Sequence, residues 1–144
     1  MARSFYVVGE ITAQVALPFF RDANRITDFE ISSPGGGIGL TLGLFDVVES
    51  CGMSTHVVGL AQSAAAVLLH GGKWRTMTNN SLLQFHALTE EQARDDCHFR
   101  LYSQLVEMVA KRAGMSVKKV CGLFNNNFIK ADRALELGLI DEIR

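Results

Sequence analysis

The sequence predicts an α/β fold with a mostly parallel sheet, and two observations support this prediction. Short β-type runs alternate with stretches of helical apolar spacing between Phe5 and His86. Small-residue segments such as Ser33–Gly37 follow the runs and mark the points where strands end. Strands that alternate with helices form right-handed βαβ units, in which neighbouring strands run parallel. The 144 residues can bury a substantial core, and we expect one domain over 1–144.

The residue pattern indicates each element of this alternation in turn. β-Branched and aromatic residues bounded by turn-forming residues predict four strands, which are Phe5–Val8, Phe29–Ser32, Thr55–Gly59 and Leu82–His86. Apolar residues at helical spacing predict helices over 12–20 and 40–48, and a third helix that begins at Ser63. Pro18 is an awkward residue for the interior of the first helix, because it has no backbone N–H to donate.

The C-terminal third is predicted to be mainly helical. Thr89 and Gln92 form a capping-box pattern, which opens one long helix that ends at Gly114. Ser116 caps a shorter helix over 116–123, and a small helix over 132–137 is followed by a last strand over 139–143.

The long helix carries two apolar surfaces in its sequence. One stripe is predicted to face the core, and Phe99, Tyr102 and Val106 lie off that stripe. A second apolar surface indicates either burial against another subunit or packing on two sides within the same domain.

Composition argues against several classes of function. The net charge of −1 gives no reason to expect a nucleic acid or a membrane surface as partner. No apolar run reaches the ~20 residues of a spanning helix, and the start lacks a signal-peptide core, so a cytoplasmic location is expected. Cys51, Cys97 and Cys121 lack metal-type spacing and are expected to be reduced and partly buried. No Cys/His or carboxylate cluster is evident, so we expect neither a metal nor a cofactor.

A serine, a histidine and a glycine-rich loop are predicted to meet at one edge of the sheet. Ser63 begins a helix after the third strand, His86 ends the fourth, and Ser33–Gly37 follows the second. The carboxyl ends of parallel strands lie at the same edge, where ligands bind in open α/β sheets. Ser63 as nucleophile, His86 as base and the N–H groups of Gly36 and Ala64 as oxyanion donors would together suit acyl transfer. The alternative interpretation is that Ser63 only caps its helix.

Five segments, in this order along the chain, resemble the family of Clp protease proteolytic subunits (ClpP). They are Ile31–Gly36, Leu44–Asp46, Gly59–Ser63, Asn80–His86 and Ala134–Asp141. The resemblance covers about residues 4–143. It implies the ClpP/crotonase-type fold, in which βαβ units are stacked and a long handle helix protrudes.

The resemblance also implies a site and an activity. It implies Ser63 as nucleophile, His86 as base, and Gly36 and Ala64 as donors of the oxyanion hole. The residues expected to contact a peptide substrate are Gly35, Gly37, Ile38, Ala87 and Leu88. Because the family forms stacked heptameric rings, a homo-oligomer is expected, and a ClpP paralogue or a Clp-type ATPase are further candidate partners.

The chain departs from the family pattern at three places. Asn126 stands at the position of the family's catalytic aspartate, and Asn125 at that of an arginine that helps to lock two rings together. The segment after His86 is shortened to Ala87–Thr89. The first strand begins at about Phe5, without the stretch that forms axial pore loops in the family, so weak or absent coupling to an unfoldase is expected.

Asparagine at the third triad position predicts weak peptidase activity. An amide can hold an imidazole in place but cannot stabilise the imidazolium that forms during the reaction, and in serine proteases the exchange lowers turnover about 10⁴-fold. We therefore expect Asn126→Asp to raise activity, unless Asp95, Asp96 or Asp132 already acts instead. The alternatives are a catalytically impaired structural or regulatory ring subunit and a crotonase-type acyl-CoA enzyme.

Overall fold

The computed structural model describes residues 1–144 and has the predicted α/β fold with a mostly parallel sheet. The seven strands are β1 Ser4–Val8, β2 Asp28–Ser33, β3 Ser54–Gln62, β4 Arg75–Met77, β5 Leu82–Gln84, β6 Phe128–Lys130 and β7 Glu142–Ile143. The seven helices are α1 Ala13–Asp22, α2 Ile38–Ser50, α3 Ala64–Leu68, α4 Glu90–Arg94, α5 Asp96–Ala113, α6 Val117–Leu123 and α7 Ala131–Glu136. Two short 3₁₀ turns follow α1 and α3 at Ala23–Arg25 and Leu69–Gly71.

The long strand β3 has two neighbours along one side. The sheet runs in the order β1-β2-β3-β4-β7, and the first half of β3 pairs with β4. Its second half pairs with β5, which in turn pairs antiparallel with β6. The change of partner occurs at Gly59, where φ is +93° and the N–H donates to Ser81 Oγ at 2.8 Å. As a result, the ends of β3 and β5 lie side by side, and both lead into candidate site residues.

One face of the sheet carries the hydrophobic core. The side chains of Val7, Phe29, Ile31 and Val57 alternate toward this face and are fully buried. Phe19 of α1 packs there too, with its ring edge-on to Phe29 at 5.0 Å. A single cluster of 33 buried apolar residues joins the sheet to α1, α2, α3 and the C-terminal half of α5, so these elements pack as one unit.

The helix predicted from Thr89 to Gly114 is interrupted at Asp95. Thr89 and Gln92 form the predicted capping box, and Gly114 ends α5 in the left-handed conformation. Between them, Asp95 leaves the helical region with φ −88° and ψ 115°, and its side chain accepts the Cys97 N–H at 2.8 Å. The carboxylate therefore starts a new helix in the middle of the predicted one, because Asp favours the N-cap over a helix interior.

The side chains expected to form a second apolar surface on this helix mostly pack within the chain. Val106 is only 2% exposed and belongs to the core, whereas Tyr102 packs edge-on against the ring of Phe124 at 5.1 Å. Of the three side chains, Phe99 alone is exposed. The two apolar sides of α5 are thus used mainly within the chain itself, which is the second of the two alternatives.

Several short elements differ from the prediction. The strand β4 has no counterpart among the predicted elements, and the last strand is confined to β7. Arg75 of β4 binds both carboxylate oxygens of Asp141, at 2.9 and 3.0 Å, and so holds β4 beside β7. The three cysteines, expected to be partly buried, are all exposed. The helix α1 continues through Pro18.

Candidate active site

Ser63 occupies a sharp turn between β3 and α3, which we call the serine elbow. Its backbone has φ 55° and ψ −125°, a region that non-glycine residues rarely adopt. The backbone of the serine elbow is well held: Ser63 N–H donates to the Gln84 carbonyl at 2.8 Å, and its own carbonyl accepts from Ala66 at 3.0 Å. The hydroxyl makes no capping hydrogen bond to the helix. Ser63 therefore occupies a strand-to-helix turn without capping the helix that follows.

The glycine-rich loop after β2 packs directly against the serine elbow. A Cβ added to Gly35 would lie 2.9 Å from the Gln62 carbonyl oxygen and 3.1 Å from Ser63 Cβ. The N–H groups of Gly36 and Ala64 find no acceptor in the loops around them. Free N–H groups beside a nucleophile can bind the oxyanion of an acyl-transfer reaction.

His86 lies two residues beyond the end of β5 and is directed toward Gln84. Its Nε2 is 2.9 Å from Gln84 Oε1, and the imidazole makes no hydrogen bond to Ser63 or to Asn126. Phe85, between the two, is fully buried and stacks on Phe124 with ring centroids 4.9 Å apart. The buried phenylalanine anchors the strand end, so that the alternation of β5 puts His86 on the same side as Gln84.

Asn126 is hydrogen-bonded to the strand end beside His86 through both its backbone and its side chain. Its φ is +66°, and its N–H donates to the Phe85 carbonyl at 3.1 Å. Its Oδ1 accepts the Ala87 N–H at 3.0 Å, and its carbonyl accepts Gln84 Nε2 at 2.6 Å. The side chain of Asn126 therefore holds the chain just after His86 and does not hold the imidazole.

One cavity of about 320 Å³ brings the three candidate catalytic residues together. Ser63, His86 and Asn126 all line it. Of the residues expected to contact substrate, Ile38, Ala87 and Leu88 line it as well, whereas Gly35 and Gly37 do not. Gly36 and Ala64 are outside the lining too. The remaining lining residues were not predicted: Val67, Thr89, Gln92, His98, Tyr102, Leu105 and Phe124.

The cavity contains no carboxylate. Asp95, one of the acids considered as a substitute, binds His98 Nδ1 at 2.9 Å, and this hydrogen bond is the main reason that the pKa of Asp95 lies below its usual range. Asp132 lines a different cavity, beside Asn79 and Lys130. Tyr102 borders the cavity, and burial raises the pKa of its hydroxyl. No Asp or Glu side chain thus lines the cavity that the imidazole of His86 borders.

Gln62 and Gln84 are the site residues that the sequence analysis missed. They sit opposite each other on β3 and β5, and Gln62 Nε2 donates to Gln84 Oε1 at 2.6 Å. The available signal was their spacing: Gln62 directly precedes Ser63, and Gln84 is two residues before His86, on the same side of its strand.

No helix is both long and apolar enough to cross a bilayer. No group of three or more His, Cys, Asp or Glu side chains is arranged to hold a metal ion.

Comparison with known proteins identifies the family. The family model described as Clp protease matches residues 7–144. The ATP-dependent Clp protease proteolytic subunit 1 of Rhodopirellula baltica is 32% identical over 144 residues, which cover 88% of this chain and 63% of that protein. The subunit of the same name from Thermobifida fusca is 31% identical over 148 residues, which cover 93% of this chain and 67% of that protein. The chain thus spans about two thirds of the length of these relatives. It belongs to the Clp protease family.

Proposed function

We propose that the chain is a self-compartmentalising serine endopeptidase subunit that cleaves peptides or unfolded proteins. Ser63 Oγ attacks the carbonyl carbon of the scissile bond while His86 accepts the hydroxyl proton. His86 then passes this proton to the leaving amine, and water hydrolyses the resulting acyl-enzyme. The N–H groups of Gly36 and Ala64 stabilise the oxyanion of each tetrahedral intermediate.

The observation that supports this proposal most directly is that Ser63, in the serine elbow, lines the same cavity as His86. A serine kept at a positive φ, with an uncommitted hydroxyl, is an arrangement that costs stability and is typical of nucleophiles. A serine that only caps a helix does not require an imidazole nearby. Here the imidazole of His86 lines the same cavity as Ser63, and Asn126 lines it as well.

The cavity also favours a peptide as substrate. One part is apolar, where Ile38, Val67, Leu105 and Phe124 would accept an apolar side chain. Ala87 and Leu88 follow His86 outside any strand, and although the Ala87 N–H donates to Asn126 Oδ1, the backbone of Leu88 has no strand partner and could pair with a peptide. Gly35 packs against the serine elbow, where it has no Cβ atom that would block a substrate backbone.

Weak activity is expected from the neutral surroundings of His86. A carboxylate beside the base stabilises the imidazolium and fixes its tautomer, and its exchange for an amide lowers turnover by about 10⁴ in serine proteases. Asn126 is an amide, and no Asp or Glu lines the cavity.

A second candidate function is that of a catalytically impaired ring subunit. The observation in its favour is that His86 Nε2 is engaged by Gln84 rather than by Ser63. Such a subunit would assemble with an active ClpP paralogue and contribute structure or regulation.

Self-association is part of either proposal. Tyr6, Val8 and Val58 are exposed on the sheet face opposite the core. Parallel sheets are normally covered on both faces, so this face is a candidate contact with further copies in a heptameric ring or stacked rings. A Clp-type ATPase is a further candidate partner.

Labelling with a fluorophosphonate tests the proposed nucleophile. The reagent phosphonylates a serine only where a base and an oxyanion hole activate it. We expect one label per chain at Ser63, and Ser63→Ala should abolish both labelling and peptide cleavage without changing the fold, because the methyl group fits the same elbow.

The control is Ser50→Ala, at the exposed end of α2. This variant should be labelled as fast as the unmodified chain. Cleavage that persists in Ser63→Ala would show that another residue, or a contaminant, is responsible. A chain that is never labelled but assembles with an active paralogue would support the second candidate.

A further inference from the structure

We infer that Gln84 is the positioning residue of His86, in the place that a triad carboxylate would otherwise take. This inference rests on the proposed role of His86 as the base. The contact that supports it is the 2.9 Å approach of His86 Nε2 to Gln84 Oε1, because this is the imidazole's only hydrogen bond within the chain.

The hydrogen bonds around Gln84 determine which way its amide points. Gln84 Nε2 donates to the Asn126 carbonyl at 2.6 Å, and a carbonyl can only accept. Gln84 Oε1 accepts from Gln62 Nε2 at 2.6 Å. The oxygen of Gln84 therefore faces His86, and an amide oxygen can only accept.

The tautomer of His86 follows from this orientation. Because Gln84 Oε1 cannot donate, His86 Nε2 must carry the proton of the neutral imidazole. The lone pair is then on Nδ1, which is the nitrogen left free to accept the hydroxyl proton of Ser63. When it does so, the Nε2–H of the imidazolium continues to donate to Gln84.

The position of Gln84 makes it a rigid support. Gln84 is only 8% exposed and lies in β5 between β3 and β6. A buried amide is stable only when its polar atoms are satisfied, and here Gln62, His86 and the Asn126 backbone satisfy all of them. By contrast, the Asn126 side chain is occupied by the Ala87 N–H.

A neutral support orients the base without adding charge. The oxygen dipole of Gln84 favours the imidazolium less than a carboxylate would. The other titratable groups of the cavity are His98, which Asp95 engages, and Tyr102. Neither supplies a negative charge to His86 near neutral pH. Gln84 therefore orients the imidazole, but no negative charge in the cavity stabilises the imidazolium.

The experiment measures the pKa of His86 by NMR titration of the full chain. It uses the Ser63→Ala background, so the result does not depend on whether Ser63 is a nucleophile. Gln84→Glu places a carboxylate in contact with Nε2–H, and we expect the pKa of His86 to rise by about 1 or more. Asn126→Asp should raise it less, because the side chain of residue 126 makes no hydrogen bond to the imidazole. Gln104→Glu, which adds the same charge at an exposed site on α5, should leave it unchanged.

A second readout is the pH dependence of fluorophosphonate labelling in chains that retain Ser63. Labelling needs neutral His86, so Gln84→Glu should move the midpoint of the rate profile to higher pH and raise the plateau rate. Gln84→Met removes the acceptor and should lower the plateau rate about ten-fold or more, because a misplaced base is ineffective.

Two results would overturn the inference. One is an equal or larger increase in the pKa of His86 in Asn126→Asp than in Gln84→Glu. The other, which also covers the case in which Gln84→Glu fails to fold, is an unchanged labelling rate in folded Gln84→Met. Absence of any label at Ser63, together with the expected pKa changes, would instead reject the proposed function and leave the Gln84–His86 contact established.

Discussion

Ser63 shows how a single residue is held in an unfavourable conformation by its neighbours. A non-glycine residue at such a positive φ costs roughly 1–3 kcal/mol. The hydrogen bond from its N–H to Gln84 and the bonds of its carbonyl to α3 fix the peptide groups on both sides. The strain is therefore imposed by β5 and α3 together, and it directs the hydroxyl away from the helix and toward the cavity.

His70 is a second residue whose surroundings change its chemistry, because they lower its pKa. It is completely buried behind the site, where Nδ1 contacts the Ala66 carbonyl at 2.9 Å and Nε2 has no partner. Burial, followed by the charge of Arg75, lowers the pKa of His70 to about 3. The histidine is thus neutral in the folded chain at pH values well above 3.

Acid should therefore destabilise the chain through His70. Between pH 6.5 and about 3 the unfolded chain binds a proton at His70 that the folded chain does not bind. The free energy of unfolding should fall through this contribution by up to ~1.4 kcal/mol per pH unit as the pH drops below 6.5. Urea unfolding at a series of pH values measures the slope, and His70→Phe should make it shallower by the equivalent of one proton.

The comparison between variants separates His70 from other acid-sensitive groups. Asp28 and Asp141 also have lowered pKa values, and the stability that they contribute is likewise lost as the pH falls through those values. Both are present in His70→Phe, so their effect cancels in the difference. A His70 NMR signal that titrates near pH 6.5 in the folded chain would contradict the prediction.

Among the elements, the loop Ser33–Gly37 is the one on which the site geometry depends most. It passes between Ile11 on one side and the serine elbow on the other. Ile11 N–H donates to the Gly35 carbonyl at 2.8 Å, and Gly37 N–H donates to the Ile11 carbonyl at 3.2 Å. Because these two hydrogen bonds use Gly35 and Gly37, the N–H of Gly36 points away from Ile11 and is unpaired.

Gly36→Ala is predicted to be much more damaging than Gly37→Ala. A Cβ at Gly36 would collide with the Ile11 carbonyl oxygen and lie 2.7 Å from its nitrogen, so the backbone would have to move. We expect a loss of about 3 kcal/mol or more in the free energy of unfolding. At Gly37 the nearest atom is Leu40 Cδ1 at 3.5 Å, and the loss should be at most about 1 kcal/mol.

Chemical unfolding of the two purified variants gives the comparison, and fluorophosphonate labelling of each reports on the site. Labelling should be lost in Gly36→Ala even where the chain is folded, because its N–H would be displaced. Similar stability and labelling of the two variants would show that the loop is free to adjust.

At the scale of the whole molecule, the notable feature is the sheet face opposite the core, where Tyr6, Val8 and Val58 are exposed. On the same face Glu30 and His56 are buried, because the Glu30 carboxylate contacts Arg144 and His56 contacts Asp28 and Thr76. The exposed apolar side chains of Tyr6, Val8 and Val58 are suited to a contact with another protein surface.

Sedimentation of the purified chain at micromolar concentration should show a species larger than a monomer. Replacing both Tyr6 and Val8 by Lys should shift it toward the monomer, because the charged side chains would be desolvated in the contact. Val117→Lys, at an exposed apolar position on α6, is the matched control and should not change the assembly. A stable monomer for the unmodified chain would reject the proposed assembly.

Much of the molecule was predictable because its signals are local. The alternation of strands and helices from β1 to α3, the capping box at Thr89 and the helix end at Gly114 depend on short-range periodicity and turn chemistry. The placement of Ser63 and His86 at one sheet edge also followed, since parallel strands put their carboxyl ends on the same side.

The tertiary structure decided whatever depends on contacts between distant residues. The strand β4 is three residues long, pairs with β3 and is joined to Asp141 by Arg75. Val106 is buried in the core, and Tyr102 packs against Phe124, which lies more than 20 residues further along the chain. The same is true at the site, where the sequence predicted that Asn126 would orient the imidazole of His86. In the structure, Gln84 contacts His86, because hydrogen bonding depends on which side chains the sheet register brings within about 3 Å and not on their order along the chain.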